Sequence, residues 1–458
     1  MSESVFESTH SSFMLPFMVP QTVTAIERAK AKQNGRANKL DPQDRAFHDW
    51  YRFVLSFPPH LVRSYLEEFE LDKKSIVLDP FCGTGTTLIE AKLSGISSMG
   101  TETNAFAQFA SATKVDWKVD PGCLRQQAYE IAEQVRYQLK QQGIDDEISS
   151  VNMQEELPLR KLSVEGNQLL LTNSISPLPL HKTLVLLDCL KERQNESSYR
   201  YQLLALANML VFKASNLQFG PEVGIGKPKM DAPILSSWLA EIDKMTSDIS
   251  FVADRQHISS KVCFTDARYL DSSLPHNSVD AVITSPPYPN EKDYTRITRL
   301  ESVILGFISN KADLRNLKKG LLRSNTRNVY KGDDDDKWVT MYPEIQHIAE
   351  AIESRRIELG KTSGFEKLYS KVTKLYFGGI ALHLASLRKV LRPNAQLAYV
   401  VGDQASYLRV MIRTGKILGE IAQSLGYELV RTDLFRTRLS TVTKEQLREE
   451  VVILRWRG

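Results

Sequence analysis

The chain has 458 residues, 42% hydrophobic and 25% charged, which is enough apolar content for one large elaborated domain or two to three average ones. Its 59 basic and 55 acidic residues leave a formal charge of only +4, so bulk charge does not mark it as a nucleic-acid binder. No run approaches the roughly 18 apolar residues of a membrane span, the start lacks a basic and apolar leader, and Cys82, Cys123, Cys189 and Cys263 are too scattered for a zinc site or a disulfide framework; a soluble cytoplasmic protein with reduced thiols, no metal and no membrane partner is expected.

Residues 1–49 read as an N-terminal arm whose basic helical stretch, "AIERAKAKQNGRANK", loses its pattern at Gly35. From Trp50 the texture changes. A proline-opened helix carries Leu61, Val62, Tyr65, Leu66 and Phe69; a strand over 75–78, a glycine turn, a helix closed by Gly95 and the strand "ISSMGTE" follow. This is a β-α-β unit, hence a parallel sheet, and it occupies 50–118. Residues 119–258 interrupt the rhythm as an inserted helical subdomain with one Gly/Pro-rich loop, "SNLQFGPEVGIGKPKMDAP". The alternation returns over 259–300 with "SKVCFTDARYL" and "SVDAVITSPPY", gives way to a second insertion over 301–373, and closes over 374–458 with "GGIALHLASLRKVL", "QLAYVVGD", "GKILGEIAQSLG" and "EEVVILRW". The expected class is α/β: a Rossmann-like, doubly wound sheet of five or six strands with two mostly helical insertions.

Asp79, Pro80, Phe81, Cys82, Gly83, Thr84, Gly85 and Thr86 stand between strand and helix, where glycines admit a ligand close to the backbone. A third glycine is missing, which argues against a dinucleotide pyrophosphate site, and without "GK[ST]" this is no P-loop. The acid Asp79 repels phosphate and suits a cationic ligand. Glu102 ends the next strand, placed to accept from two ribose hydroxyls. A nucleoside carrying positive charge is S-adenosylmethionine; the plain alternative is a tight turn with a capping acid. Asp266 could accept from the adenine amino group of the same cofactor, although alone it reads as a helix N-cap.

The strand "VDAVI" runs into Thr284, Ser285, Pro286, Pro287 and Tyr288. Methyl transfer to an exocyclic amine needs the nitrogen lone pair freed from the ring. The Ser285 hydroxyl and Pro286 carbonyl can accept the two amine protons, prolines aim such carbonyls by fixing φ, and Tyr288 offers a face for an extruded base. A cytosine-C5 enzyme would instead need a nucleophilic cysteine after a proline, and none of the four cysteines follows one.

Together, "DPFCGTGTTL", "GTETNAFAQFASATK", "TSPPY" and the earlier "FPPHLV" make the chain resemble the amino-group DNA methyltransferases, the N4-cytosine and N6-adenine enzymes that use S-adenosylmethionine on a Rossmann-like sheet. The resemblance covers 50–118, 260–300 and 376–458. It implies cofactor contacts from Asp79, Pro80, Phe81, Gly83, Thr84, Gly85, Thr86, Glu102 and Asp266, and a catalytic role for Ser285, Pro286, Pro287 and Tyr288. Serine before the prolines leans toward N4 of cytosine, with N6 of adenine as the alternative; an RNA methyltransferase and a non-catalytic DNA-binding protein of the same fold are the further readings. Double-stranded DNA is the implied partner, with a cognate restriction endonuclease or other defence-system proteins as further candidates. The two insertions depart from the family's usual motif orders. Arg296, Arg299, Arg323, Arg327 and Lys331, in and just before the polar loop of the second insertion, are the expected DNA contacts.

Overall fold

The computed structural model describes residues 40–53, 56–147, 158–220, 222–439 and 446–458. The basic stretch of the N-terminal arm lies outside them. The chain opens with α1 (Pro59–Glu68), β1 (Ile76–Asp79), α2 (Thr86–Leu93), β2 (Ser97–Glu102), α3 (Ala105–Lys114) and α4 (Pro121–Gln141). The first insertion continues with α5 (Val164–Leu169), α6 (Pro177–Glu192), α7 (Tyr199–Met209), a hairpin of β3 (Leu217–Phe219) and β4 (Val223–Ile225), and α8 (Ile234–Phe251). Then come β5 (Ser260–Phe264), β6 (Val279–Thr284), α9 (Arg299–Ile304), α10 (Lys311–Gly320), α11 (Pro343–Glu358), α12 (Tyr369–Leu387), β7 (Leu391–Gly402), α13 (Thr414–Ser424), β8 (Glu428–Leu439) and β9 (Gln446–Arg455).

Seven strands form the main sheet in the order β5-β2-β1-β6-β7-β9-β8. All neighbours are parallel as far as β7, and β9 is antiparallel to both β7 and β8. Five or six strands were expected; the difference is β8, an edge strand carrying Arg431, Asp433, Arg436 and two half-exposed apolar residues, Val430 and Leu434. Charges on an edge strand discourage pairing with a further chain, and they also mask the strand's alternation.

Side chains alternate across the sheet, as the period of two requires. Val77, Ala281, Ile283 and Ala398 point to one face, where Leu61, Val62, Tyr65 and Leu66 of α1 cover them. Leu78, Val282, Leu397 and Tyr399 point to the other, under Tyr376, Phe377 and Ile380 of α12 and Ile417 and Leu418 of α13. The helices of the first insertion share a third core with Phe106 of α3 and with Trp50 and Trp117. The second insertion is seated on α12 through two consecutive glycines. A Cβ on Gly378 would lie 1.9 Å from the Asp335 carbonyl oxygen, and one on Gly379 would lie 2.4 Å from a Leu322 methyl.

Among the described residues, no helix is long and apolar enough to cross a membrane.

Candidate active site

Strand order reverses between β1 and β6, which pair directly while their other neighbours lead in opposite directions. At such a switch point the connections diverge and leave a crevice beyond the carboxyl ends of the strands. A cavity of about 250 Å³ lies there. The two motifs, 205 residues apart in the chain, meet beside it: Thr284 Oγ1 at the end of β6 donates to Asp79 Oδ1 at the end of β1 over 2.6 Å, and their chain neighbours Ser285 and Pro80, not these two residues, line the cavity.

The turn after β1 takes its shape from two left-handed glycines, Gly83 at φ 50° and Gly85 at φ 85°, the latter capping α2. Residues with a Cβ are strained there. Asp79 accepts the Phe81 amide at 3.1 Å through the same oxygen that holds Thr284, while its Oδ2 is buried without a hydrogen-bond partner. Burial raises the Asp79 carboxyl to about 6, against the hydrogen bonds from Thr284 and Phe81. Beneath the turn, the fully buried Lys114 donates to the carbonyls of Thr84 at 2.8 Å and Tyr51 at 2.9 Å.

Glu102 ends β2 and faces the cavity. It accepts from the Gly83 amide at 3.0 Å through Oε2, and from Thr103 and Asn104 at 2.9 and 2.8 Å through Oε1. Burial raises it to about 7 in spite of these three amides. Asp266 lines the cavity too, and caps a short helical turn through the Arg268 amide, as its sequence position suggested. The same Arg268 guanidinium grips it through Nε and Nη2.

Ser285, Pro286, Pro287 and Tyr288 line the cavity with Pro80, Phe81, Gly83, Thr84 and Thr86. Ser285 Oγ donates to the Val400 carbonyl of β7 at 3.1 Å, and the Tyr288 amide donates to the Tyr294 hydroxyl at 3.3 Å. Gly402 makes room for the tyrosine: a Cβ there would meet the Tyr288 ring at 3.0 Å and Glu449 at 3.3 Å. Burial, reinforced by Glu449, holds the Tyr288 phenol above its usual range, so it is neutral at physiological pH.

Several lining residues escaped sequence reasoning. Phe435, Arg436 and Glu449 come from β8 and β9, with Arg436 chelating Glu449; Gly320, Leu321 and Leu322 come from the second insertion. Phe53 and Ser56 escaped it too, and Phe57, the first residue of "FPPHLV", is the exception.

The expected DNA contacts separate into two groups. Arg327 and Lys331 are exposed, Arg327 stacking over Phe365 at 5.7 Å, and half-buried Arg296 lies 3.7 Å from Glu222 beside the hairpin of the first insertion. Arg323 requires a correction. It is only 4% exposed, chelates Asp333 at 2.8 and 2.9 Å and donates to three backbone carbonyls, so it is an internal strut and not a surface cation. Arg299 is similarly spent on the Thr295 carbonyl and hydroxyl and the Leu169 carbonyl.

Residues 24–111 match the N6/N4 methyltransferase family model, described as DNA methylase. The Type II methyltransferase M.BsoBI of Geobacillus stearothermophilus is 24% identical over 468 residues, spanning 92% of this chain and 85% of that protein. M.AvaI of Nostoc sp., also a Type II methyltransferase, is 21% identical over 420 residues, 86% of this chain and 81% of its own. Among solved structures, TrmN from Thermus thermophilus aligns with 90% of this chain and 52% of its own at 11% identity and a TM-score of 0.28, and the fold assignment rests on the strand order instead. With a family model lying across the glycine turn and Glu102 and relatives running nearly the whole length, the chain is similar to the amino-group DNA methyltransferases, the N6/N4 DNA methylases, a likeness that implies S-adenosylmethionine as the methyl donor.

Proposed function

We propose that this protein methylates an exocyclic amine of a base in double-stranded DNA, at N4 of cytosine, and that the base is extruded from the duplex to reach the cavity. The observation that carries the reading is the Ser285 hydroxyl. Its proton is committed to the Val400 carbonyl, which leaves the oxygen lone pairs to accept from an amine. With the Pro286 carbonyl as second acceptor, the amine protons are held out of the plane of the base and the nitrogen lone pair turns toward the donor. Positioning of this kind needs no covalent intermediate and supplies much of the rate by itself. Tyr288, neutral and wedged beside Gly402, gives the ring a surface to stack on.

The residues at the cofactor loop fit S-adenosylmethionine. The unpartnered, buried Asp79 Oδ2 suits a cationic donor, Glu102 suits the ribose hydroxyls, and Asp266 suits the adenine amine. When bound, the cofactor supplies an electrophilic methyl on sulfur. Pro80, Phe81, Gly83, Thr84, Gly85 and Thr86 shape the turn around it. Serine before the prolines supports cytosine over adenine. Arg296, Arg327 and Lys331 are the cations we assign to the DNA side.

Labelled S-adenosylmethionine and unmethylated duplex DNA of varied sequence, followed by mass spectrometry of the nucleosides, test this directly. 4-Methylcytosine is expected. 6-Methyladenine would overturn the choice of base, and label in neither nucleoside would overturn the activity.

A further inference from the structure

One wall of the cavity comes from no motif. α10 ends over the end of β2, so closely that a Cβ on Gly320 would lie 3.3 Å from the Thr103 side chain, next to Glu102. Gly320, Leu321 and Leu322 then line the same cavity as Gly83, Glu102 and Asp266. Their position is heavily determined. Arg268 Nη2 bridges Asp266 to the Lys319 carbonyl at 3.1 Å, and Nη1 of the same guanidinium reaches Asp335 at 2.6 Å. From the other side Arg323 donates to the carbonyls of Lys318, Lys319 and Leu321, and the gap at Gly379 receives Leu322.

The segment is also tied to the loop after Tyr288. Lys318 Nζ donates to Asp293 Oδ2 at 2.7 Å, with the two side chains 12% and 3% exposed. The other oxygen of Asp293 holds the amide and hydroxyl of Thr295, fixing the turn that carries Tyr294, whose hydroxyl in turn receives the Tyr288 amide. One buried carboxylate thus joins the segment above the cofactor loop to the tyrosine face.

We propose that Lys318–Leu322 is a strap that covers the adenosyl part of S-adenosylmethionine, and that the Lys318–Asp293 pair couples occupancy of that site to the Tyr288 loop. This rests on the cofactor placement proposed above. An apolar pair of leucines and a glycine backbone suit the flat face of a purine, while Asp266 and Glu102 meet its polar edges. The second insertion is then a part of the cofactor site, and occupancy of that site orders the surface that receives the base.

Hydrogen exchange of the full chain with and without S-adenosylhomocysteine tests it. Exchange should slow over 80–104, over 318–324 and over 288–296. Protection confined to 80–104 would overturn the strap. In Lys318→Met, checked for an unchanged circular dichroism spectrum, the compound should still protect 80–104 and no longer protect 288–296, and Lys318→Arg should restore that protection. Protection of 288–296 undiminished in Lys318→Met would overturn the coupling. Calorimetric affinity for the same compound should fall at least tenfold in Gly320→Val, and unchanged affinity counts against the strap. A wild-type chain that does not bind the compound at all overturns the cofactor placement itself and the strap with it.

Discussion

Gly378→Ala pits helix propensity against space. Gly378 is in the interior of α12, where alanine is better than glycine by about 1 kcal/mol on propensity alone. The new Cβ, however, would lie 1.9 Å from the Asp335 carbonyl oxygen and 2.4 Å from its carbon. Both are backbone atoms, so the peptide must retreat by about 1 Å or more before the contact is tolerable. Overpacking of this sort costs about 1–3 kcal/mol. The retreat also drags Asp335 from Arg268, and uncoupling a buried ion pair adds up to about 3–5 kcal/mol. Sterics therefore win, and the variant should lose about 2 kcal/mol or more, read as a fall in the urea midpoint. Gly379→Ala is the control, because there the obstacle at 2.4 Å is the end of a leucine side chain, which can rotate away. It should fall within about 1 kcal/mol of wild type. A Gly378→Ala protein as stable as wild type, or less affected than Gly379→Ala, would refute the seating of the second insertion on α12.

Ser285→Ala should lower kcat about a hundredfold while leaving S-adenosylhomocysteine affinity unchanged, since it removes one preorganised acceptor and no cofactor contact; equal losses in both would argue for a structural role. Tyr288→Ala should weaken retention of an extruded base by about 1–3 kcal/mol and Tyr288→Phe by much less, measured by the fluorescence of 2-aminopurine at the target position. Asp79 near 6 and Glu102 near 7 are acids that burial pushes up, so each is neutral at low pH. A cationic cofactor prefers them ionised. Its affinity should thus drop about tenfold between pH 8 and pH 6, with protons released on binding; calorimetry in buffers of different ionisation enthalpy showing proton uptake would contradict this.

The core of this fold was legible because each element carries its own local signal. "IVLD" before "PFCGTGT" marks a strand, a turn that only glycine closes and a helix, and in the fold the strand lies within a residue of expectation and the helix ends just before Gly95. Parallel topology put the ends of both motif strands on one side of the sheet, and the direct pairing of β1 with β6, which the strand order adds, is what brings Asp79 to Thr284. What stayed hidden depends on partners far away in sequence. Arg323 and Lys318 look like surface cations until Asp333 and Asp293 are seen beside them, and no periodicity reveals such a pairing. Glu449 and Arg436 enter the cavity because β9 lies between β7 and β8, and a one-dimensional pattern does not say which strand comes next to which.

That interleaving bears on how the molecule is made. Among the described residues β8 pairs with β9 and not with β7, so it joins the sheet through a strand that follows it in sequence. During synthesis, α13 can already dock on β1, β6 and β7, but β8 must wait without a strand to pair with until β9 has been made and slotted between two earlier strands. Long-range pairing of this kind is slow and leaves the β7 edge open in the meantime. Because Glu449 of β9 also closes the wall beside Tyr288, a nascent chain has a finished glycine turn well before it has a finished pocket, and a partly made protein holds no competent site.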